Sequence, residues 1–262
     1  MKVYIATDME GISLIWKPEQ TSRDQGAEYE YGRRQSTADV NAAVAACFEA
    51  GATRVVIQDG HGPSALLWDE VDPRAEVERI PSGAVLQPSL DETFDAFMEV
   101  GRHAMAGTQM AFLDHTQSGT HWFRYTLNGV EYGEIAQEAL YAASYGVPFV
   151  FLSGDRAACQ EAQRQFPGVV TAEVKWAVKR NAAHCLSGPV ARARIAEGVK
   201  KGMDLALRKL VQPVKLSTPI TMELTTQKTD QADDYMGRQG IERVAARTIR
   251  AVMASQRDIL RF

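Results

Sequence analysis

Short apolar segments alternate with helical patterns through the first two-thirds of the chain, and this alternation restricts the fold more than any other feature. The predicted strands are brief and rich in β-branched or aromatic residues, and they cover residues 3–7, 53–58, 96–100 and 147–152. The predicted helices carry apolar residues at helical spacing, and they cover residues 36–50, 133–145 and 157–165. Since strands that alternate with helices favour a parallel sheet with helices on both faces, we predict an α/β fold with a three-layer, mainly parallel sheet.

The pattern changes after Pro167 and Gly168. The remaining predicted elements are an extended segment, a long amphipathic helix, a strand, and a segment that could be strand or helix; they cover residues 169–177, 189–210, 218–226 and 248–253. We therefore predict a domain boundary at residue 168, with an α/β domain over 1–168 and a smaller α+β domain over 169–262. Within the first domain, Asn128-Gly129 predicts a hairpin over residues 125–132, and residues 85–87 are a possible short strand.

Composition excludes several classes of function. The chain has 262 residues and a net charge of −4, so nothing suggests the basic surface of a nucleic-acid-binding protein. No apolar segment is long enough to span a membrane, and the strand that begins almost at Met1 has no signal-peptide pattern. The cysteines Cys47, Cys159 and Cys185 are odd in number and far apart, which favours reduced thiols and a cytoplasmic location.

Five residues that could bind a metal stand at or near predicted strand ends. Asp8 and Glu10 follow the first strand and are two positions apart, so an extended chain directs both side chains to one side. His61 and His103 each follow a later strand, and Glu134 opens a helix after the hairpin. In a parallel sheet these strand ends meet at one edge. Imidazole and carboxylate ligands suit zinc, manganese or another first-row metal, and five ligands would serve two zinc ions that share Asp8 as a bridging carboxylate.

His115 differs because it lies in a polar loop that contains serine, threonine and glycine. A loop histidine can act as a general acid or base at neutral pH, so His115 is the predicted catalytic residue. For His121, in the same loop, and His184, beside Cys185, we favour structural roles. Simpler interpretations of the ligand set remain open at this point, since Glu134 could merely stabilise a helix N-terminus and Asp59 could cap a turn.

These candidates lie within five short motifs whose order is fixed. The motifs are Thr7-Asp8-Met9-Glu10-Gly11-Ile12, Asp59-Gly60-His61-Gly62, Gly101-Arg102-His103-Ala104, Asp114-His115-Thr116 and Asn128-Gly129-Val130-Glu131-Tyr132-Gly133-Glu134. As a set they resemble the motifs of the zinc-dependent D-aminopeptidases associated with bacterial dipeptide-transport operons. The order and spacing agree from Met1 to about Asp155, and looser similarity continues through residues 175–189 towards the C-terminus.

The resemblance implies a two-zinc hydrolase that removes N-terminal residues from short peptides, with D-amino acids such as D-alanine in the best-known members. It implies that Asp8 bridges the zinc ions, that Glu10 and Glu134 hold one of them, and that His61 and His103 hold the other. His115 matches the position assigned as catalytic. The family also implies a self-compartmentalising homodecamer of two stacked five-membered rings.

Two other functional classes remain open on the residues alone. A magnesium-dependent phosphatase with an aspartate nucleophile would use Asp8, and the segment Ser153-Gly154-Asp155 would supply its later acidic motif. A non-catalytic metal-binding or peptide-binding protein would keep the ligands and show no hydrolysis. His115, which has no evident ligand role, argues against the second alternative.

Overall fold

The computed structural model describes residues 1–62, 64–79 and 87–260. Its strands are β1 (Lys2–Thr7), β2 (Arg54–Asp59), β3 (Glu76–Glu78), β4 (Ala96–Arg102), β5 (Trp122–Leu127), β6 (Val130–Glu131), β7 (Phe149–Asp155), β8 (Val170–Lys179), β9 (Ala182–Cys185), β10 (Ile220–Thr226), β11 (Ile241–Ala245) and β12 (Thr248–Met253). Its α-helices are α1 (Ala27–Glu49), α2 (Glu134–Ser144), α3 (Arg156–Gln165), α4 (Gly188–Leu207) and α5 (Thr229–Asp233).

Seven strands form the large sheet, in the order β3-β2-β1-β4-β7-β8-β9. All neighbouring pairs are parallel except β8 and β9, which confirms the predicted α/β fold with a mainly parallel sheet. The strand β1 lies between β2 and β4, and its last residue, Thr7, is in register with Asp59 and Val100. The three chain segments that follow these strands therefore leave the sheet side by side.

Both faces of the large sheet are covered, which explains why its central strands are almost continuously apolar. Along β1, Val3 and Ile5 belong to one buried cluster, which also contains residues of α1 and α4. Tyr4 and Ala6 point the other way, into a cluster with residues of α2, α3 and the smaller sheet. The alternation of side chains along one strand thus connects the two outer layers.

The smaller sheet is antiparallel, with the order β11-β12-β10-β5-β6. The strands β5 and β6 form the predicted hairpin, and its turn residues Asn128 and Gly129 have φ of 51° and 81°, as a tight two-residue turn requires. Strands from before residue 168 thus join β10 and β12, while β8 and β9 from after it extend the large sheet. The two sheets do not divide the chain at residue 168, because pairing between distant segments leaves no local signal.

Other elements differ from the sequence expectation in detail. The helix α1 begins at Ala27 rather than at residue 36, and its first turns carry the buried residues Tyr29 and Gly32 among polar ones. Residues 248–253, which could have been strand or helix, form β12. The possible strand at 85–87 falls on residues 85 and 86, which lie outside the described residues. In the described part of the chain, no helix combines the length and the apolar character needed to cross a membrane.

Candidate metal centre

The five predicted ligands converge at the carboxyl edge of the large sheet. His103, after β4, has its Nε2 atom 3.2 Å from Asp8 Oδ2 and 3.5 Å from Glu134 Oε1. His61, after β2, has its Nε2 atom 3.3 Å from Glu10 Oε1. Asp8 and Glu10 are both buried. The structure therefore brings together the side chains that the sequence pattern selected.

Two glycines allow the ligand-bearing segments to lie so close together. Asp8 N donates to Val100 O at 3.0 Å and Gly11 N donates to Gly101 O at 2.7 Å, so the turn after β1 crosses the end of β4. A Cβ atom on Gly11 would lie 2.0 Å from Arg102 O. Gly101 has φ of 85°, and a Cβ there would lie 2.3 Å from Asp8 O. The approach of backbone to backbone thus requires glycine on both sides.

The loop that carries His61 is folded around the buried carboxylate of Asp59. This carboxylate accepts hydrogen bonds from Ala65 N at 2.7 Å, Ser64 Oγ at 2.5 Å and Trp68 Nε1 at 2.9 Å. Asp59 therefore organises the turn, the role that the simpler interpretation assigned to it, and so fixes where His61 stands.

Hydrogen bonds define which nitrogen of each central histidine faces the cluster. His103 Nδ1 lies 2.9 Å from Ala104 O, and His115 Nδ1 lies 2.8 Å from Leu113 O. Because a carbonyl oxygen can only accept, we assign the proton of each neutral ring to Nδ1. The Nε2 lone pairs of both rings then point towards carboxylates. The two rings are stacked, with centroids 3.9 Å apart.

The charges of the cluster support each other strongly. Burial by itself would raise the pKa of Asp8, but close contact with His103 holds that pKa well below its ordinary value. Burial acts in the same direction on Glu134, and the charge of His103 outweighs it and lowers the pKa to about 2. Burial would lower the pKa of His103, whereas the charges of Glu134 and Asp8 raise it well above the ordinary value. The carboxylates are therefore ionised, and the cluster favours a positive charge at its centre.

The residues fit a metal ion. Among the described residues, Glu10 Oε2 and His61 Nδ1 are buried side-chain atoms that have no hydrogen-bond partner. Two sets of three residues have ligand atoms within 4.8 Å of one another, namely Asp8 with Glu10 and His103, and His103 with His115 and Glu134. Imidazole nitrogens and carboxylate oxygens at such spacing are the donors that zinc takes in catalytic sites.

The pairing of these side chains differs from the one that the resemblance implies. The contacts join Glu10 to His61 and Glu134 to His103, rather than carboxylate to carboxylate and histidine to histidine. The strand order explains this arrangement, since β2 and β4 lie on opposite sides of β1. His61 and His103 therefore approach the β1 turn from opposite sides.

His115 reaches the cluster from a loop that other segments hold in place. Its Nε2 atom lies 3.7 Å from Glu134 Oε1, and its side chain is 20% exposed. Leu113 N donates to Arg180 O at 2.8 Å, and Gln117 N donates to Glu134 Oε1 at 2.6 Å. Leu113 and Gln117 have φ of 50° and 57°, so the loop adopts left-handed backbone at both positions. The loop is thereby attached directly to a predicted metal ligand.

The other two histidines have different surroundings. His121 is exposed, and its Nδ1 atom lies 2.9 Å from Thr120 Oγ1. His184 stacks on Trp176 with ring centroids 4.3 Å apart. These contacts agree with the structural roles that the sequence favoured.

Sequence reasoning missed two groups that touch the cluster. Arg102 is buried next to Asp8 and Glu134, and a charged residue at the end of an apolar strand was the available signal. Glu138, four positions after Glu134 on one face of α2, is a second signal for the same charge network. The backbone N–H of Gln117 could not be found from side-chain chemistry.

The segment that resembled a phosphatase motif has a structural role. Asp155 Oδ1 accepts from Ala158 N at 2.9 Å and so caps α3, while Asp155 Oδ2 accepts from Phe112 N at 2.9 Å. Asp8 Oδ1 accepts from Met9 N at 2.8 Å, and its other oxygen faces His103. Both aspartates are thus engaged in ways that leave no free nucleophile.

Comparisons with known proteins agree with this geometry. A family model described as D-aminopeptidase, peptidase M55, matches residues 1–262. A D-aminopeptidase from Bacillus subtilis strain 168 is 33% identical over 220 residues, which make up 82% of this chain and 77% of that enzyme. The solved structure of the zinc-dependent D-aminopeptidase DppA from Bacillus subtilis, described as a self-compartmentalizing protease, matches with a TM-score of 0.90 at 26% identity. The match covers 99% of this chain and 94% of the other.

Proposed function

Because the chain belongs to the peptidase M55 family of D-aminopeptidases and is a zinc-dependent aminopeptidase, we propose that it removes D-amino acids such as D-alanine from the N-termini of short peptides. One observation carries the proposal: side chains that follow three neighbouring strands, together with Glu134 of α2, meet in a single buried cluster of zinc-type ligands. The phosphatase alternative is not favoured.

We propose two zinc ions per subunit. Glu10 and His61 hold one ion, Glu134 and His103 hold the other, and Asp8, which stands between the two histidines, bridges them. The support is the pairing of each carboxylate with one histidine and the position of β1 between β2 and β4. When bound, zinc supplies a Lewis acid and lowers the pKa of a coordinated water to near neutrality.

His115 is the proposed catalytic residue. Leu113 O fixes its Nδ1 atom and the stacked ring of His103 fixes its plane, so Nε2 is the ring atom that faces the centre. Its partial exposure leaves it within reach of a bound peptide. His115 takes up a proton at Nε2 and delivers it to the amine that leaves when the peptide bond breaks.

We also propose that the chain assembles into a homodecamer. The support is the close match to a protein described as a self-compartmentalizing protease. Large apolar side chains such as Trp16 and Val178, which are 47% and 62% exposed in the single chain, are available for contacts between subunits. Light scattering on the purified protein measures the mass of the particle, and a monomer would contradict this assembly.

A cytoplasmic location is a further part of the proposal. Cys47 and Cys159 are buried, Cys185 is partly buried, and all three are free thiols. A reducing compartment keeps such thiols unpaired. Fractionation of cells that make the protein tests the location.

The proposed activity is tested with a panel of D- and L-aminoacyl p-nitroanilides and dipeptides, assayed with added zinc and with a chelator. We expect hydrolysis of D-alanyl substrates that the chelator abolishes and zinc restores. Cleavage of L-substrates in preference to D-substrates would overturn the proposed stereochemistry. Hydrolysis that persists without metal would overturn the metal mechanism.

The role of His115 is tested with His115→Ala, and His121→Ala is the matched control in the same loop. We expect kcat of His115→Ala to fall by about 10²–10⁴-fold, with the zinc content unchanged, whereas the control retains its activity. Wild-type turnover in His115→Ala would overturn the assignment.

A further inference from the structure

The buried guanidinium of Arg102 lies beneath the proposed metal centre, in contact with four carboxylates. Arg102 is the last residue of β4, and its side chain is 2% exposed. Its Nη2 atom lies 2.5 Å from Glu138 Oε1, and its Nε atom lies 3.4 Å from Glu99 Oε2. Its Nη1 atom lies 3.5 Å from Asp8 Oδ2 and 3.8 Å from Glu134 Oε2. A single cation thus connects β1, β4 and α2.

The four carboxylates fall into two pairs with different roles. Glu99 and Glu138 are no part of the proposed ligand set, and they hold the Nε and Nη2 side of the guanidinium. Asp8 and Glu134 are proposed ligands, and both face Nη1. Each ligand has its other oxygen fixed by a backbone donor, since Met9 N donates to Asp8 Oδ1 and Gln117 N donates to Glu134 Oε1. Arg102 therefore addresses the oxygens that these backbone bonds leave free.

We propose that Arg102 is a positioning residue that sets the separation and orientation of the Asp8 and Glu134 carboxylates, and so determines how tightly the zinc ion at His103 and Glu134 is held. This inference rests on the ligand roles proposed above. Glu99 and Glu138 act through Arg102, because they anchor the guanidinium from the side away from the ions.

The geometry of the site requires arginine rather than another cation. A guanidinium is planar and presents its donors in a rigid fork, so it can contact Glu138 and the two ligands at the same time. A lysine ammonium carries the same charge at one point on a flexible stem and cannot keep all of these contacts. Substitution of arginine by lysine therefore preserves the charge and removes the fixed orientation.

The experiment separates orientation from charge by measuring zinc affinity. The variants are Arg102→Lys, which keeps the charge, and Arg102→Met with Glu138→Gln, which removes one positive and one negative charge and so keeps the net charge of the cluster. The matched control is Arg192→Met, because Arg192 also contacts a buried carboxylate, with its Nε atom 3.1 Å from Asp39 Oδ1, and touches none of the proposed ligands. Zinc per chain is measured against a competing chelator, and the absorption spectrum of the Co²⁺-loaded protein reports the ligand field.

We expect the wild type and the control to bind two ions with the same affinities. In both Arg102 variants one ion is bound about 10–100-fold more weakly, the other keeps its affinity, and the Co²⁺ spectrum of the weakened ion changes. Wild-type affinity for both ions in the folded double variant or in Arg102→Lys would overturn the positioning role. An equal loss in Arg192→Met would also overturn it, because the loss would then follow from stability alone.

The measurement is independent of the substrate. A wild-type protein that binds two ions and cleaves no D-aminoacyl substrate would contradict the proposed function, and the zinc affinities would still decide the role of Arg102. If the double variant does not fold, Arg102→Lys gives the decision.

Discussion

Replacement of Gly11 by alanine tests how closely the turn after β1 must approach the end of β4. An added Cβ would lie 2.0 Å from Arg102 O and 2.5 Å from the carbonyl carbons of Gly101 and Arg102. Non-bonded carbon and oxygen atoms need more than 3 Å, so the two backbone segments must separate by roughly 1 Å. Neither contact involves a flexible side chain that could rotate away.

The expected consequence is a loss of activity larger than the loss of stability. Gly11 adjoins Glu10 on one segment, and Arg102 adjoins His103 on the other, so the separation moves proposed ligands apart. A misplacement of about 1 Å costs on the order of 10²-fold in rate, whereas overpacking lowers the free energy of unfolding by about 1–3 kcal/mol. We expect kcat/KM of Gly11→Ala on D-alanyl p-nitroanilide to fall by about 10²-fold, with weaker zinc binding.

The control for this variant is Gly146→Ala. Gly146 has φ of 81°, and no atom lies within 4 Å of an added Cβ. The substitution costs about 1–2 kcal/mol of backbone strain and displaces no ligand, so zinc content and kcat/KM stay at the wild-type value. The reasoning is refuted if Gly11→Ala keeps the wild-type kcat/KM, or if Gly146→Ala loses as much activity at an equal loss of stability.

Three further substitutions test other parts of the structure. Asp59→Ala removes the acceptor that folds the His61 loop, so we expect a loss of about 3 kcal/mol in urea unfolding and about tenfold weaker binding of one zinc ion; retention of both would contradict that role. Burial lowers the pKa of Lys175 from 10.5 to about 8, so between these pH values the unfolded chain binds a proton that the folded chain lacks. Wild-type stability should therefore rise by about 3 kcal/mol over this range, and the pH profile of Lys175→Met should lack the rise. Asp155→Asn should cost about 1–3 kcal/mol by chemical denaturation, since an amide N–H then faces the Phe112 N–H; unchanged stability would count against the assigned bonds.

The sequence predicted the metal centre because its physical cause is local. In a parallel sheet, strand ends that carry polar residues must lie together, and Asp8, His61 and His103 each follow a strand that was recognisable from its own apolar residues. Arg102 was missed for the opposite reason. Its meaning depends on Glu99 and Glu138, which lie on a strand and a helix that meet only in the folded chain.

The organisation beyond the centre could not be predicted from local patterns. The strand β8 after residue 168 pairs in parallel with β7, and β5 before it pairs with β10. Both pairings depend on contacts between distant segments, which composition and periodicity do not record. The pairing of Glu10 with His61 likewise followed from the strand order β2-β1-β4 rather than from any motif.

The mixed origin of the smaller sheet fixes an order of events during synthesis. Asn128 Oδ1, in the β5–β6 turn, accepts from Thr221 N at 2.8 Å across 93 positions of sequence. Next to β5, His121 O accepts from Gln227 N at 2.8 Å, in the loop that carries His115. On a ribosome the ligands of the large sheet emerge well before these partners. The nascent chain can therefore acquire its metal before its catalytic loop is set, so the hydrolase matures only after β10 and the segment beyond it have left the exit tunnel.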